Sequence, residues 1–207
     1  MKRIIFGSMF VCFFAIADAQ KMEDCFIQMP DDLLVLLDVA WKKELVDLYK
    51  SDKPAALENS MLGQSVLKKL SDHYLLLQST ERSTLELKLL PLINNTFIIC
   101  MIETVYAPIA DSRVSFYTTE WQQLPADSIF TPVSKDWFWK DYADQTTLSF
   151  LFQSEFLLVK YHLSDENTTL TAEYMTPLNL DEENQQNAKP FLKNEPKTYV
   201  WKNGRYE

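Results

Sequence analysis

Glycine is almost missing from this chain: of 207 residues only three are glycine. Gly7 lies in a leader-like segment, which leaves Gly63 and Gly204 for the body of the protein. A phosphate-cradling loop, a dinucleotide fingerprint and a nucleophile elbow each need closely spaced glycines, because the backbone must turn sharply or approach a ligand where a Cβ would clash. None of these signatures can be written here. Histidine is as scarce: His73 and His162 stand far apart, with no partner at helical spacing and no Cys-x-x-Cys pair, so neither a metal centre nor a cofactor is expected. Basic residues are outnumbered, 20 Lys and Arg against 29 Asp and Glu, for a net charge of -9. That field repels nucleic acid and anionic lipid, and no basic run of five residues offsets it.

Long apolar runs are also lacking. The most apolar stretch, Ile4 to Ala17, falls short of the ~20 residues a spanning helix needs and is interrupted by Gly7-Ser8. With Lys2-Arg3 before it and Ala17-Asp18-Ala19 after it, residues 1–19 read as an export signal cleaved between Ala19 and Gln20. Cys12 lacks the small residues that precede a lipid-modified cysteine. The remainder, residues 20–207, is expected to carry no integral membrane span. It holds Cys25 and Cys100, which in an oxidising compartment either pair, closing a loop worth ~4 kcal/mol in the chain-entropy view, or stay as thiols. The apolar run Phe97–Ile102 around Cys100 suits a buried, inert thiol.

What the chain does have is clear periodicity. Pro30-Asp31-Asp32 suits the first turn of a helix, and Leu34, Leu37, Trp41, Leu45 and Leu48 then recur at three- and four-residue steps, with Asp38, Lys42, Lys43 and Asp47 elsewhere round the turn. From about Leu57 to Leu124 the period becomes two. Leu85-Glu86-Leu87-Lys88-Leu89 alternates, Asn94-Asn95 marks a turn, Phe97 to Val105 is continuously apolar, and Arg113 to Thr118 alternates again, which predicts an antiparallel meander. Pro125 to Gln145 is an irregular, aromatic-rich connection. A second hairpin is expected from Leu157–Leu163 and Thr168–Met175, then a short helix over 180–188, a closing strand at Thr198–Trp201 and a tight turn at Asn203-Gly204. With no repeat or low-complexity linker, the expectation is one α+β domain: an N-terminal amphipathic helix packed on a mainly antiparallel sheet meander, a short C-terminal helix and a closing strand.

Two surfaces are candidates for binding. Asp111, Ser112, Arg113, Tyr117 and Trp121 gather carboxylate, guanidinium and aromatic groups on and beside one strand, suited to a polar ligand or peptide, although Asp and Arg can equally pair with neighbours. Trp137, Trp139 and Tyr142 form an aromatic patch suited to sugar rings or a partner protein, provided the segment is a strand that puts both tryptophans on one face; filling the core is the alternative. No catalytic residues are assigned, because neither cysteine has a nucleophile signature and no carboxylate pair stands out.

Several blocks together resemble a known family: Asp31–Tyr49, Leu85-Glu86-Leu87-Lys88-Leu89-Leu90-Pro91, Tyr106-Ala107-Pro108, Asp111-Ser112-Arg113-Val114-Ser115-Phe116-Tyr117-Thr118-Thr119-Glu120-Trp121, Lys189-Pro190-Phe191-Leu192-Lys193 and Tyr199-Val200-Trp201. The chain is similar to an uncharacterised exported family of gut-type Gram-negative anaerobes, domain of unknown function 3256. The resemblance implies a secreted domain in the periplasm or cell envelope and carries over no activity and no catalytic residue. It also lends weight to Asp127-Ser128-Ile129, which is similar to the O-glycosylation site such bacteria use, with Ser128 as acceptor. The reading is an exported, non-catalytic interaction or ligand-binding domain whose partner is an envelope protein or glycan. The alternative is a hydrolase acting on envelope glycan or peptide.

Overall fold

The computed structural model describes residues 20–142 and 156–207; the expected leader, including Ala19, lies outside them. The fold is α+β, with two antiparallel sheets and few helices. Two helices come first, α1 (Met22–Ile27) and α2 (Val39–Lys50). A six-stranded meander follows, β1 (Ala56–Glu58), β2 (Gln64–Leu70), β3 (Tyr74–Thr80), β4 (Ser83–Pro91), β5 (Phe97–Tyr106) and β6 (Ala110–Thr118), each strand bonded to the next in chain order. The second sheet is built from β7 (Val159–Leu163), β8 (Thr169–Tyr174), β9 (Lys197–Lys202) and β10 (Arg205–Tyr206), with β7 on its edge. A third helix, α3 (Glu182–Ala188), lies between β8 and β9 and is capped by Asp181, whose carboxylate accepts from the Asn184 N–H at 2.9 Å.

Helix α2 begins later than the sequence suggests. Asp38, not Pro30, is its cap, accepting from the Trp41 N–H at 2.9 Å, and residues 30–37 are turns. A free carboxylate with extended backbone is the stronger start signal, since it satisfies an orphan amide. The buried stripe is also rotated: Lys42 is fully buried while Trp41 is only half-buried. Lys42 is held there because its ammonium donates to the Met29 carbonyl and to Asp31, satisfying a charge that would otherwise be too costly to bury. Helix α1 has no apolar stripe long enough to read from sequence, yet Met22, Cys25 and Phe26 are all buried.

The large sheet is covered on both faces. One cluster joins Phe26, Leu45 and Val46 of the helices to Leu75, Leu87 and Met101 of the sheet. The other joins Tyr74, Cys100, Ile102 and Phe116 to Tyr161, Leu163, Leu170 and Trp201 of the second sheet. Successive side chains of a strand point to opposite faces, so β5 divides its residues between them: Ile99 and Met101 on the helix side, Ile98, Cys100 and Ile102 on the other. Of the two alternatives for the cysteines, the structure has the thiols. Cys25 and Cys100 are both free and buried, with the sheet between them.

Tight turns follow the local chemistry. At Asn203-Gly204 both φ angles are positive, 51° and 83°, as a two-residue hairpin turn between β9 and β10 requires. The β1–β2 turn is organised by the Asn59 side chain. Its side-chain oxygen accepts from the Met61 and Gly63 amides while its amide group bonds Ser65 and the Ser79 carbonyl.

Candidate functional site

The first candidate face is divided by the structure. On β6, Tyr117 is buried beneath Trp121, ring centroids 5.5 Å apart, and the Trp121 indole N–H donates to the Cys25 carbonyl of α1 at 2.9 Å. Tyr117 and Trp121 therefore close the helix-side core and are not open to a ligand. Burial is the main cause that raises the Tyr117 phenol above its ordinary pKa. Arg113 is exposed and donates twice to Glu103, the residue directly opposite it on β5, at 2.7 and 3.1 Å.

Asp111 and Ser112 do something sequence could not show. The outward N–H groups of β7, the edge strand of the second sheet, need acceptors, and they find them on side chains of the large sheet. Asp111 accepts from Val159 N at 3.1 Å, Ser112 from Tyr161 N at 3.1 Å and Glu86 from Leu163 N at 2.9 Å. An unpaired edge invites another strand to add to it. Here three polar side chains occupy alternate amides and tie the sheets together. Beside them Asp111, Ser112, Arg113, Asp127 and Tyr161 line an open hollow of about 360 Å³.

Glu86 is the centre of a buried polar cluster. Its carboxylate also accepts from the Tyr74 hydroxyl at 3.2 Å and lies 3.0 to 3.1 Å from His162 Nδ1. That contact raises the His162 pKa, with desolvation opposing it. Lys88, equally buried, donates to the Ser164 and Asp165 carbonyls, and burial followed by repulsion from Lys69 lowers its pKa. These groups lie at the junction of the two sheets and hold it. The remaining nucleophile candidates are equally enclosed: burial pushes the Cys25 thiol up to about 11 and the Cys100 thiol well above its ordinary value. His73 stacks on Phe97 at 5.3 Å. No group of three metal-ligating side chains occurs among the described residues.

The aromatic segment is not a strand. Lys135–Phe138 forms a 3-10 turn, so the two tryptophans diverge: Trp139 is buried, pairing in a single bridge with Leu192, while Trp137 is half-buried and Tyr142 is exposed. Phe138, between the tryptophans, stacks flat on Tyr174 at 4.8 Å. This pair lines a cleft of about 560 Å³ between the end of β8, helix α3 and the 192–196 segment. Leu192, Met175 and Pro196 add apolar walls, and Gln185, Gln186 and Asn194 add amides. Lys189, Lys193, Glu173 and Glu195 bring both charges; Glu173 lies 3.9 Å from Lys160. Such a cleft can hold a polar ligand with an apolar face. Sequence reading missed it because its residues come from positions 138 to 196 and no local motif links them. Ser128 is exposed on the 3-10 turn Ala126–Ser128, its hydroxyl donating to the Pro125 carbonyl at 2.9 Å.

Compared with known families, residues 14–206 match the model of a family described as protein of unknown function, DUF3256. The chain belongs to this family. Among solved structures, this DUF3256 member resembles a domain of an uncharacterized protein from Porphyromonas gingivalis W83, with a TM-score of 0.80 and 27% sequence identity, covering 90% of this chain and 98% of that one. No curated protein matches it. No described helix of this DUF3256 chain is long and apolar enough to cross a membrane.

Proposed function

We propose that this DUF3256 protein is an exported ligand-binding domain of the bacterial cell envelope, non-catalytic, taking an envelope glycan or peptide in the cleft bounded by β8, α3 and residues 192–196. The composition of residues 1–19 supports export and cleavage before Gln20. The cleft carries the binding reading. It is large enough for a small ligand, is walled by Tyr174, Met175, Pro177 and Leu192 and rimmed by amides, and so combines apolar area with a few orienting polar groups. A non-catalytic role is supported by where the reactive groups went: both cysteines are buried with raised pKa, and the Glu86–His162 pair holds two sheets together. Asp111 and Ser112 likewise serve β7, so the hollow beside them ranks second.

The test is a thermal-shift and calorimetric screen of soluble envelope glycan and peptide fragments against the purified protein and a filled variant, Gln186→Trp with Asn194→Trp. Both positions are exposed rim residues outside the core. A fragment that binds the wild type and loses affinity on the filled variant is the expected result. Equal binding to both rejects the cleft. Turnover of a bound fragment by the wild type assigns the hydrolase reading instead.

A further inference from the structure

In a chain with net charge -9, five lysines gather on two segments that meet in space, Lys135 and Lys140 on the aromatic connection, Lys189, Lys193 and Lys197 on the approach to β9. None has a carboxylate within 4 Å among the described residues. Asp136, Asp141 and Glu195 share these segments and form no ion pair among the described residues. Four of the lysines instead sit over aromatic rings. Lys193 and Lys197 both approach Trp137, at 4.7 and 5.8 Å from its centroid, Lys197 also lies 4.6 Å from Tyr199, Lys140 5.8 Å from Tyr142, and Lys135 5.6 Å from Trp139. Lys193 and Lys140 are further fixed by donating to the Trp137 and Pro190 carbonyls, 2.7 and 2.9 Å.

A ring face or a carbonyl orients an ammonium group without cancelling its charge. Elsewhere several cations sit on carboxylates: Lys50 on Glu23, Lys69 on Asp165, Arg113 on Glu103 and Lys160 on Glu173. Here the chain holds two ammonium groups on one indole and leaves both positive, beside the cleft that Lys189 and Lys193 also line. Cations gathered at one rim without carboxylate partners attract an anion.

We infer that the ligand of the cleft is an anionic oligosaccharide, a sugar chain carrying carboxylate groups, whose acid groups bind Lys193, Lys197 and Lys189 while its ring faces pack on the apolar walls. The inference rests on the cleft reading above and adds the chemical class. The amides of Gln186 and Asn194 offer donors and acceptors together, as the hydroxyl groups of a sugar require.

The experiment is calorimetric titration of the purified protein, at low and at physiological salt, with three probes: trigalacturonate, its fully methyl-esterified form, and hexaglutamate. The expected result is that trigalacturonate binds, that the ester binds about tenfold or more weakly, and that raising salt weakens the acid form alone. Lys193→Gln with Lys197→Gln should remove most of that preference, and Lys193→Arg with Lys197→Arg should retain it, which separates charge from folding. Equal affinity for acid and ester, or a double Gln variant that keeps the preference, overturns the anionic class while leaving the cleft reading intact. Tighter binding of hexaglutamate than of trigalacturonate overturns the sugar assignment. Binding of none of the three by a folded protein overturns this inference, and the fragment screen then decides the cleft reading by itself.

Discussion

Glu86 offers the most direct test of how the two sheets are joined. Glu86→Ala removes the acceptor for two groups that have no water to turn to: the Leu163 amide of a fully buried residue and the Tyr74 hydroxyl, whose residue is 1% exposed. Leaving a buried donor unsatisfied costs ~1–3 kcal/mol, so the two together predict a loss of about 2–6 kcal/mol. For a protein of this size that lowers Tm by on the order of 10 °C. The charge adds a pH signature. His162 has its pKa raised in the folded protein, first by the hydrogen bond to Glu86. A raised folded value means that the contribution is fully present below the unfolded pKa near ~6.5 and is lost as pH rises through the folded value. Because the His162 side chain is half exposed, solvent screens this part and it is smaller than the hydrogen-bond loss. Urea unfolding of the wild type, Glu86→Ala and Glu86→Gln between about pH 5.5 and 8.5 reads both effects. The reasoning is refuted if Glu86→Ala stays within about 0.5 kcal/mol of the wild type, or if Glu86→Gln keeps the wild-type slope with pH.

Two further outcomes follow from the same geometry. Asp111→Ala should cost ~1–3 kcal/mol by stripping the Val159 amide of its acceptor, whereas Arg113→Ala, which breaks an exposed pair, should change stability by less than ~1 kcal/mol; comparable losses in chemical denaturation would contradict the edge-capping role. Cys25 and Cys100 should both resist a thiol reagent in the native protein at pH 8 and react after denaturation, with Tm unaffected by reductant; a Tm lowered by reductant would show that the thiols pair after all.

Much of the strand order was legible because meanders are local. Leu85–Leu89, the Asn94-Asn95 turn and the Asn203-Gly204 turn lie where alternation and turn chemistry put them, and each strand bonds its sequence neighbour. What alternation did not tell is what covers each face. Glu86 and Lys88 alternate with leucines as a solvated face would, yet both are buried, because the second sheet lies over them. The start of α2 was misplaced for a similar reason. Leu34 and Leu37 fit the helical stripe but are buried from turns, and only the Asp38 cap marks where the helix begins.

The candidate sites show the same division. Strand parity correctly placed Arg113 and Tyr117 on one face, but whether a residue on that face meets solvent depends on Trp121 reaching across to the Cys25 carbonyl, a contact spanning 96 positions. Composition, charge balance, turn residues and family membership are properties of short stretches and of the whole count, so sequence determined them unaided. The two-sided burial of the large sheet, the capping of β7 by Asp111, Ser112 and Glu86, and the gathering of lysines beside the cleft belong to the tertiary structure. Each depends on side chains from distant positions meeting, and periodicity says which residues share a face without saying what lies against it.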